Sequence, residues 1–333
     1  MTVDTTTSYL GLTLRSPLVA SSSPVTGDLD RLARVVTAGA GAVVLPSLFE
    51  EEIEHEEMAL HGGLESGGGV FAEASEGYLP YPVGYKTSIE RQLDHLSSAV
   101  EEVDVPVIGS LNGATTGGWV RYASRLVEAG AAAVELNLYR LAAEPDESGV
   151  EVEDAYLRLV SAVRAAVEVP LAVKIGPHFS SLPSMARRFT EAGADGLVLF
   201  NRFYQPDLDL DTLGVDANLV LSDPTEGRQV LRWTAILRDG FPGSLGATTG
   251  VHQWGDATKF ILAGADVVMM ASALLRHGPD HLGTVLAGMV SWLGEHGYRS
   301  VDQARGSVSH ANAADPSAYE RVNYIRTLHS WGG

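Results

Sequence analysis

The chain has 333 residues, 45% of them hydrophobic, and a formal net charge of −19. This length suits one barrel domain or two smaller domains, while the negative charge argues against binding to nucleic acid or to an anionic membrane surface. No apolar run approaches the roughly 20 residues of a transmembrane helix, and the first residues lack the pattern of a signal peptide. The sequence has no cysteine, which excludes disulfides, thiolate metal sites and iron–sulfur clusters. We therefore expect a cytoplasmic protein that acts on small molecules.

A short phrase recurs four times and organises the chain. It reads AGAGAVVL at 38–45, AGAAAVEL at 129–136, AGADGLVL at 192–199 and AGADVVMM at 263–270. In each copy an apolar-periodic helix ends at Ala-Gly, where glycine is expected to adopt the left-handed conformation of a helix cap. The continuous apolar run that follows is typical of a strand buried on both faces of a parallel sheet.

The intervals between these repeats are each long enough for two β-strand–α-helix units. In chain order, the eight predicted strands are 17–21, one ending near 45, 105–110, one ending at 137, 170–175, one ending at 201, 244–247 and one ending near 270. Helical patterns lie between them at 118–128, 150–167, 182–191 and 256–262. Eight alternating units of this kind predict an α/β protein with the (β/α)8 TIM-barrel fold.

Two connections are longer than plain loops, namely 46–86 after the second strand and 202–230 after the sixth. The first contains an acidic run at 50–57, which we interpret as the solvated face of a helix. It also contains a glycine-rich stretch at 62–69, which is either a mobile lid or simple disorder. Both connections follow strand ends at the face that carries chemistry in barrels, so we expect them to be lid or insertion segments. No linker composition divides the chain, and residues 1–333 are predicted to form a single domain.

Polar residues terminate several of the apolar strands. Lys174 ends the run PLAVKI, and burying a lysine is costly without an anionic or electron-rich partner, although a salt bridge to a neighbouring strand would also satisfy it. Ser110, Asn112, Asn137 and Asn201 occupy similar positions, and the last two could instead cap turns. Because all these residues fall at one end of the predicted barrel, we expect them to face a common ligand.

The last third of the chain carries a pattern for anion binding. Small residues follow the seventh strand at 246–251 and the eighth strand at 270–273, where a helix begins. Small side chains let backbone N–H groups approach an anion, and barrels commonly bind phosphate with the loops after strands seven and eight. Tight turn packing is the alternative explanation.

The histidines are less informative. His178 follows Lys174 closely and could act as an active-site acid, although a surface-loop position is the simpler interpretation, and His252 has the same two interpretations. No histidine or carboxylate pair has metal-ligand spacing, so we predict no metal site. A Gly-x-Ser-x-Gly motif, which would indicate a hydrolase, is also absent.

These patterns resemble the dihydroorotate dehydrogenase family of FMN-binding barrels over nearly the whole chain. The resemblance is weakest in 46–105 and 202–243, and it is strongest in 249–279, which is similar to the family's phosphate segment. Here Thr249 and Gly250 take the places of the family's Gly-Gly pair. Ala271 and Ser272 take those of its Gly-Thr pair. The resemblance implies that the FMN phosphate binds at these four residues.

Further matches extend the resemblance to the other strand ends. Ala20 and Ser21 match the family's first strand, Asn137 matches an asparagine at flavin and substrate, and Lys174 matches a lysine beside the flavin N1/O2 edge. Asn201 matches the asparagine after the sixth strand. The resemblance thus implies that Ala20, Ser21, Asn137, Lys174 and Asn201 bind cofactor or substrate. From their strand-end positions we expect Ser110 to contact the cofactor and Asn112 the substrate at the same site.

The chain also departs from the family's pattern. Arg140 stands where the soluble branch has its cysteine base, and Ala142 replaces a substrate-holding asparagine. Pro46-Ser47 replaces a Lys-Ser pair, and the glycine pair near the phosphate is replaced around Leu221-Ser222. Tyr139 or His178 could take over the role of the missing base, and the sequence does not choose between them.

Taken together, the resemblance implies an FMN-dependent oxidoreductase acting on the CH–CH bond of a small polar substrate. Dihydroorotate, an intermediate of pyrimidine biosynthesis, is the substrate it points to, and Lys174 is expected to be catalytic. Relatives are often dimers, which makes a homodimer an expectation, and the electron acceptor is unidentified. Two alternatives remain at this stage: a flavin-binding homologue without dihydroorotate activity, and a lyase or aldolase that uses Lys174 as a Schiff-base amine.

Overall fold

The computed structural model describes residues 3–49, 87–112, 118–202, 205–216, 219–320 and 323–330. The acidic run at 50–57 and the glycine-rich stretch at 62–69 lie outside these residues, as does most of the predicted lid segment 46–86. The predictions made for them therefore stay predictions.

Thirteen strands lie in the described parts of the chain. In order they are β1 (Thr7–Tyr9), β2 (Leu12–Leu14), β3 (Leu18–Ala20), β4 (Ala42–Val44), β5 (Leu48–Phe49), β6 (Val107–Asn112), β7 (Ala133–Asn137), β8 (Leu171–Ile175), β9 (Gly196–Leu199), β10 (Asp207–Asp209), β11 (Gly214–Asp216), β12 (Ser244–Ala247) and β13 (Val267–Met270). Eight of these, β3, β4, β6, β7, β8, β9, β12 and β13, pair in parallel in that order. Because β13 also pairs with β3, the sheet closes into a barrel.

Helices alternate with the barrel strands on the outside. They are α1 (Leu29–Thr37), α2 (Ser88–Glu102), α3 (Trp119–Glu128), α4 (Gly149–Ala166), α5 (Leu182–Glu191), α6 (Gly227–Leu237), α7 (Trp254–Ala263), α8 (Ser272–His277), α9 (His281–Glu295), α10 (Val301–Ala304) and α11 (Asn323–His329). The predicted (β/α)8 TIM barrel is confirmed, with all eight predicted strands in place. The insertion after the sixth strand contains an antiparallel hairpin, β10–β11.

The four repeats have the local structure that their sequence predicts. Their glycines, Gly39, Gly130, Gly193 and Gly264, all have positive φ angles, between 104° and 124°. In the last two repeats the aspartate that turns the chain also braces the preceding barrel strand. One carboxylate oxygen of Asp195 accepts a hydrogen bond from the N–H of Leu171 at 2.8 Å.

The inside of the barrel is apolar at the amino ends of its strands. Inward-facing side chains such as Val19, Ile108 and Met269 form one cluster, separate from the larger core between barrel and helices. The β1–β2 hairpin closes this end, since Tyr9 and Leu14 pack into the same cluster and are buried. The strands therefore meet a solid floor at one end.

Toward the carboxyl ends the same inward positions become polar. Side chains alternate between the two faces of a strand, so β7 points Ala133, Glu135 and Asn137 inward in succession. On β8 the inward pair is Ala172 and Lys174, and the register places Lys174 beside Asn137. This change from apolar to polar layers positions the site described next.

Candidate functional site

A cavity of about 620 Å³ lies at the carboxyl ends of the barrel strands. Its volume falls within the range of about 300–1,000 Å³ that is usual for small-molecule sites. Residues singled out in the sequence that line this cavity are Ser21, Asn112, Asn137, Tyr139, Lys174, Asn201, Thr249, Gly250, Ala271 and Ser272. The strand-end residues and the two small-residue turns therefore share one space.

Three of the predicted site residues lie outside the cavity wall. The side chain of Ala20 is fully buried in the core between barrel and helices, because it points away from the barrel axis. Ser110 is buried below the cavity, where its Oγ lies 2.7 Å from the Oγ of Ser47. His178 lines a second cavity, of about 390 Å³, that shares Phe200 and other residues with the first.

Lys174 lies in the cavity wall with a buried carboxylate close behind it. Its Nζ is 3.7 Å from Oε1 of Glu135, whose side chain is 1% exposed. The sequence analysis missed Glu135. The signal was present, because a charged residue inside the apolar run AVELN at an even spacing from Asn137 must share that residue's inward face.

Two asparagines flank Lys174 and differ in their hydrogen bonding. The Oδ1 of Asn137 is buried and accepts no hydrogen bond from any described residue. Asn201 instead donates from Nδ2 to the carbonyl oxygen of Leu138 at 3.0 Å and to that of Lys174 at 3.3 Å. Asn137 therefore keeps a free acceptor at the cavity, whereas Asn201 also ties the ends of β7 and β8 together.

The turn after β12 exposes backbone N–H groups. Thr249 and Gly250 have φ angles of 75° and 77°, and neither N–H donates a hydrogen bond to a residue that the structure describes. A Cβ atom on Gly250 would lie 2.5 Å from the backbone nitrogen of Gly227, which explains the glycine. Two adjacent free N–H groups at a cavity wall are suited to an anion.

Polar side chains surround this turn. The Oγ of Ser222 lies 3.2 Å from Nε2 of His252, and the N–H of Ser222 donates to Oγ of Ser272 at 3.2 Å. Burial lowers the pKa of His252, and the positive charge of Arg276 lowers it further. Ser222, one of the residues that replace the family's glycine pair, thus places its hydroxyl group between the imidazole of His252 and the predicted phosphate position at Ser272.

Arg140, at the position of the family's cysteine base, does not line the cavity. Its guanidinium forms two contacts of 2.9 Å with the carboxylate of Glu147. An arginine held in such a pair has no proton-accepting capacity. Tyr139, the preceding residue, does line the cavity.

The residues that the structure describes include neither a cluster of metal ligands nor a membrane-spanning helix. In those ranges, no group of three or more histidine, cysteine, aspartate or glutamate side chains is placed to hold a metal ion. None of the helices there is long and apolar enough to cross a membrane.

The closed barrel and the cavity at the carboxyl ends of its strands are those of a ligand-binding TIM barrel, and comparison with known proteins identifies the family. A protein of Aeropyrum pernix named as a dihydroorotate dehydrogenase A (fumarate) is 30% identical over 317 residues, covering 90% of this chain and 95% of the relative. A dihydroorotate dehydrogenase B (NAD(+)) catalytic subunit of Methanothermobacter thermautotrophicus is 26% identical, covering 90% and 97%. One of Pyrococcus abyssi is 28% identical, covering 89% and 96%.

The chain belongs to the dihydroorotate dehydrogenase family, as its sequence motifs predict. It is accordingly an oxidoreductase of the dihydroorotate dehydrogenase type, the class that acts on CH–CH groups. No protein-family model matches the chain.

Proposed function

We propose that this protein is an FMN-dependent oxidoreductase that oxidises or reduces a CH–CH bond of a small polar substrate. Dihydroorotate is the first substrate to test, because the relatives carry its name. The observation that carries the proposal is that Lys174, Asn137 and the Thr249–Gly250 turn all line one cavity. Lys174 would supply a cation for the ring edge of FMN, Asn137 an acceptor for the ring, and the Thr249–Gly250 turn donors for the phosphate.

The polar groups of the cavity fit this cofactor. The unpaired Oδ1 of Asn137 is an acceptor for a ring N–H, and Lys174 is a cation for an electron-rich ring edge. Free N–H groups at Thr249 and Gly250 are donors for a phosphate. Leaving such buried groups without partners is costly, so a ligand that satisfies all of them gains affinity.

The proposal assigns roles to the predicted residues. Thr249, Gly250, Ala271 and Ser272 would hold the phosphate. Ser21 would contact the ring, while Ala20 would act through its backbone and Ser110 through Ser47. The amides Asn112, Asn137 and Asn201 would orient the substrate by hydrogen bonds.

Bound FMN supplies an acceptor for the hydride that leaves the substrate carbon. Lys174 would stabilise negative charge at the edge of the cavity nearest its ammonium group. Phe200 and Met269, which line the wall, would limit access of water to the reacting atoms. These contributions are positioning and electrostatics, which the chain provides without a metal ligand set among the described residues.

Proton removal from the substrate needs a group other than Arg140. We propose Tyr139, in the cavity wall, and His178, in the adjoining cavity, as the two candidates. A positioned base contributes typically about 10²–10⁴-fold in rate. Tyr139→Phe and His178→Gln should therefore differ, with a loss of this size only for the residue that takes the proton.

The test is anaerobic titration of the purified protein, loaded with FMN, by dihydroorotate. We expect a yellow protein whose flavin absorbance is bleached, and FMN should bind more tightly than riboflavin, which lacks the phosphate. A protein that stays colourless and cannot be loaded with FMN would contradict the cofactor assignment. Bound FMN that dihydroorotate does not bleach would contradict the substrate and favour the flavin-binding homologue.

One structural observation counts against the Schiff-base alternative. That chemistry needs an amine free to attack a carbonyl carbon, whereas the Nζ of Lys174 lies in an ion pair with the buried carboxylate of Glu135, 3.7 Å away. Borohydride trapping of a phosphorylated aldehyde or ketone on Lys174 would reverse this conclusion.

The remaining parts of the proposal concern assembly and electron flow. We propose a cytoplasmic homodimer of single-domain subunits, which light scattering of the purified protein would test. Fumarate and NAD⁺ are the acceptors to try first, since those words occur in the relatives' names. Reoxidation of the bleached protein by one of them would identify the acceptor.

A further inference from the structure

We infer that Glu135 is a positioning residue for Lys174: its buried carboxylate fixes the charge and place of the ammonium group that the cavity presents to a ligand. The inference deepens the proposed function and rests on it for the identity of the ligand. The coupling between the two side chains is measurable without any ligand.

Glu135 lies on the strand next to that of Lys174, one inward layer lower in the barrel. The β7–β8 register sets Asn137 beside Lys174 and Glu135 beside Ala172, one inward layer closer to the floor. The carboxylate is 1% exposed, and the side chain of Lys174, which lines the cavity, is 12% exposed. Lys174 therefore stands between a buried negative charge on one side and the ligand space on the other.

The contact between them is one of charge rather than of a directed hydrogen bond. At 3.7 Å, the Nζ–Oε1 separation exceeds the usual range for an N–H···O bond. Neither oxygen of Glu135 has a hydrogen-bond partner among the described residues. Among the described residues, Lys174 is therefore the one ion-pair partner of this carboxylate.

A second buried carboxylate in the barrel, that of Asp266, has a different environment. Asp266 accepts hydrogen bonds from the N–H of Leu245 at 2.8 Å and from Arg238 at 3.0 Å, and Arg305 lies 3.3 Å away. The negative charge of Asp266 is therefore compensated by donors and cations of the protein itself. Glu135 has none of these contacts, and Lys174, its one ionic partner among the described residues, lines the cavity.

The other ionisable groups around the pair leave it isolated. Tyr9, from the hairpin below, is buried and its hydroxyl has no partner in the described parts of the chain. Burial raises the pKa of Tyr9 far above its ordinary value, and the negative charges of Glu135 and Asp266 raise it further, so Tyr9 stays neutral. Above the pair, Tyr139 and Arg202 line the cavity, and Arg202 is paired with Glu226 at 2.7 Å.

The composition of the chain makes a direct test practical. There are three lysines in 333 residues, at positions 86, 174 and 259. Protein labelled with [ε-¹³C]lysine should give three signals, and Lys174→Met identifies the one from Lys174. Titration of ligand-free protein then reports the pH at which Lys174 loses its proton.

In Glu135→Gln, which keeps the shape but removes the charge, the proton affinity of Lys174 should fall by at least about 10-fold. The matched control is Glu153→Gln, which removes a carboxylate paired with Arg188 between the outer helices. It should leave the Lys174 signal unchanged. Identical Lys174 titrations in the parent and in Glu135→Gln would overturn the inference.

A second readout connects the pair to the ligand. The midpoint potential of FMN-loaded Glu135→Gln should exceed that of the parent at low pH, where Lys174 is charged in both proteins. The difference should shrink as pH rises, because the variant loses the lysine charge first. A difference that stays constant with pH would contradict the inference. Failure of both proteins to bind FMN would instead reject the proposed function, and the lysine titration would still decide the coupling.

If Glu135→Gln does not fold, the double variant Glu135→Gln/Lys174→Gln provides the decision. Removing both charges should give a protein that folds and melts at a higher temperature than Lys174→Gln, because no uncompensated buried charge remains. A double variant that does not fold, or that melts no higher than Lys174→Gln, would overturn the inference.

Discussion

The two ends of the barrel treat buried polar groups differently. At the amino end Asp266 accepts hydrogen bonds from Leu245 and Arg238 and forms an ion pair with Arg305. At the carboxyl end Glu135 has one ionic neighbour and no hydrogen bond from a described residue, and the Oδ1 of Asn137 has no partner there either. The hydroxyl of Tyr9 in the floor also lacks a described partner, but Tyr9 does not line the cavity. Since native proteins satisfy most buried polar atoms, unsatisfied atoms that adjoin the cavity indicate where a ligand is expected.

The backbone shows the same contrast. At the amino end the left-handed glycine Gly264 caps α7, and its N–H donates to the carbonyl oxygens of Phe260 and Ile261. At the carboxyl end Thr249 and Gly250 also adopt positive φ angles, but their N–H groups donate to no described residue. One conformation therefore completes a helix at one end and presents donors to the cavity at the other.

The largest effect should come from removing the floor of the barrel. Tyr9→Ala deletes a fully buried ring and should lower the free energy of unfolding by about 3–5 kcal/mol. Tyr9→Phe is the matched control, because it keeps the ring and removes a hydroxyl without a described partner. It should change stability by less than about 1 kcal/mol.

Urea denaturation monitored by circular dichroism measures both variants. A cost of Tyr9→Phe as large as that of Tyr9→Ala would mean that the hydroxyl, not the ring, supports the floor. The conclusion that apolar packing of the Tyr9 ring supports the floor would then be wrong.

The next largest effect concerns the turn at the cavity. Gly250→Ala places a Cβ atom 2.5 Å from the nitrogen of Gly227 at a φ angle of 77°, and we expect a loss of roughly 1–3 kcal/mol in stability. Affinity for FMN should fall as well, whereas affinity for riboflavin should change less. Calorimetric titration with both ligands measures this difference.

Gly255→Ala, in the first turn of α7, is the control. A Cβ atom there has nothing within 4 Å, and alanine should stabilise the helix by roughly 0.5–1 kcal/mol. Equal losses of FMN and riboflavin affinity in Gly250→Ala would remove the turn from the phosphate site.

Most of the barrel follows from the sequence because its pattern is local. The AG-capped repeats predict both a helix end and a strand start, and the positive φ angles of Gly39 and Gly193 agree. The β1–β2 hairpin was missed, since its strands have three residues each and its role in closing the floor depends on contacts distant in the chain.

The cavity was predictable where a strand ends in a polar residue, as at Asn137 and Lys174. It was less predictable where the answer depends on which face of a strand a side chain points to. Ala20 and Ser21 are adjacent, and neighbouring strand residues point to opposite faces, so only Ser21 lines the cavity. Glu135 was missed because a charged residue within an apolar run was taken as part of that run.

A third prediction separates ligand binding from stability. Asn137→Ala removes an amide whose Oδ1 accepts no hydrogen bond from a described residue, so the ligand-free protein should lose less than about 1 kcal/mol. The dissociation constant for FMN should rise about 10-fold, equivalent to one hydrogen bond. A large loss of stability with unchanged FMN affinity would assign Asn137 to the framework instead.

The smallest effect is a pH dependence near the predicted phosphate position. Burial, followed by the charge of Arg276, lowers the pKa of His252 below the ordinary value of 6.5. The unfolded chain therefore binds a proton more readily than the folded one, so stability is complete above about pH 6.5 and is lost as the pH falls toward the lowered pKa. Relative to His252→Gln, the parent should become less stable between pH 8 and pH 5 in urea titrations. The same pH dependence in both proteins would show that His252 does not cause the loss of stability in acid. The charges of Asp256 and Asp223 raise the pKa of His252, so a parent that becomes relatively more stable in acid would mean that they outweigh burial.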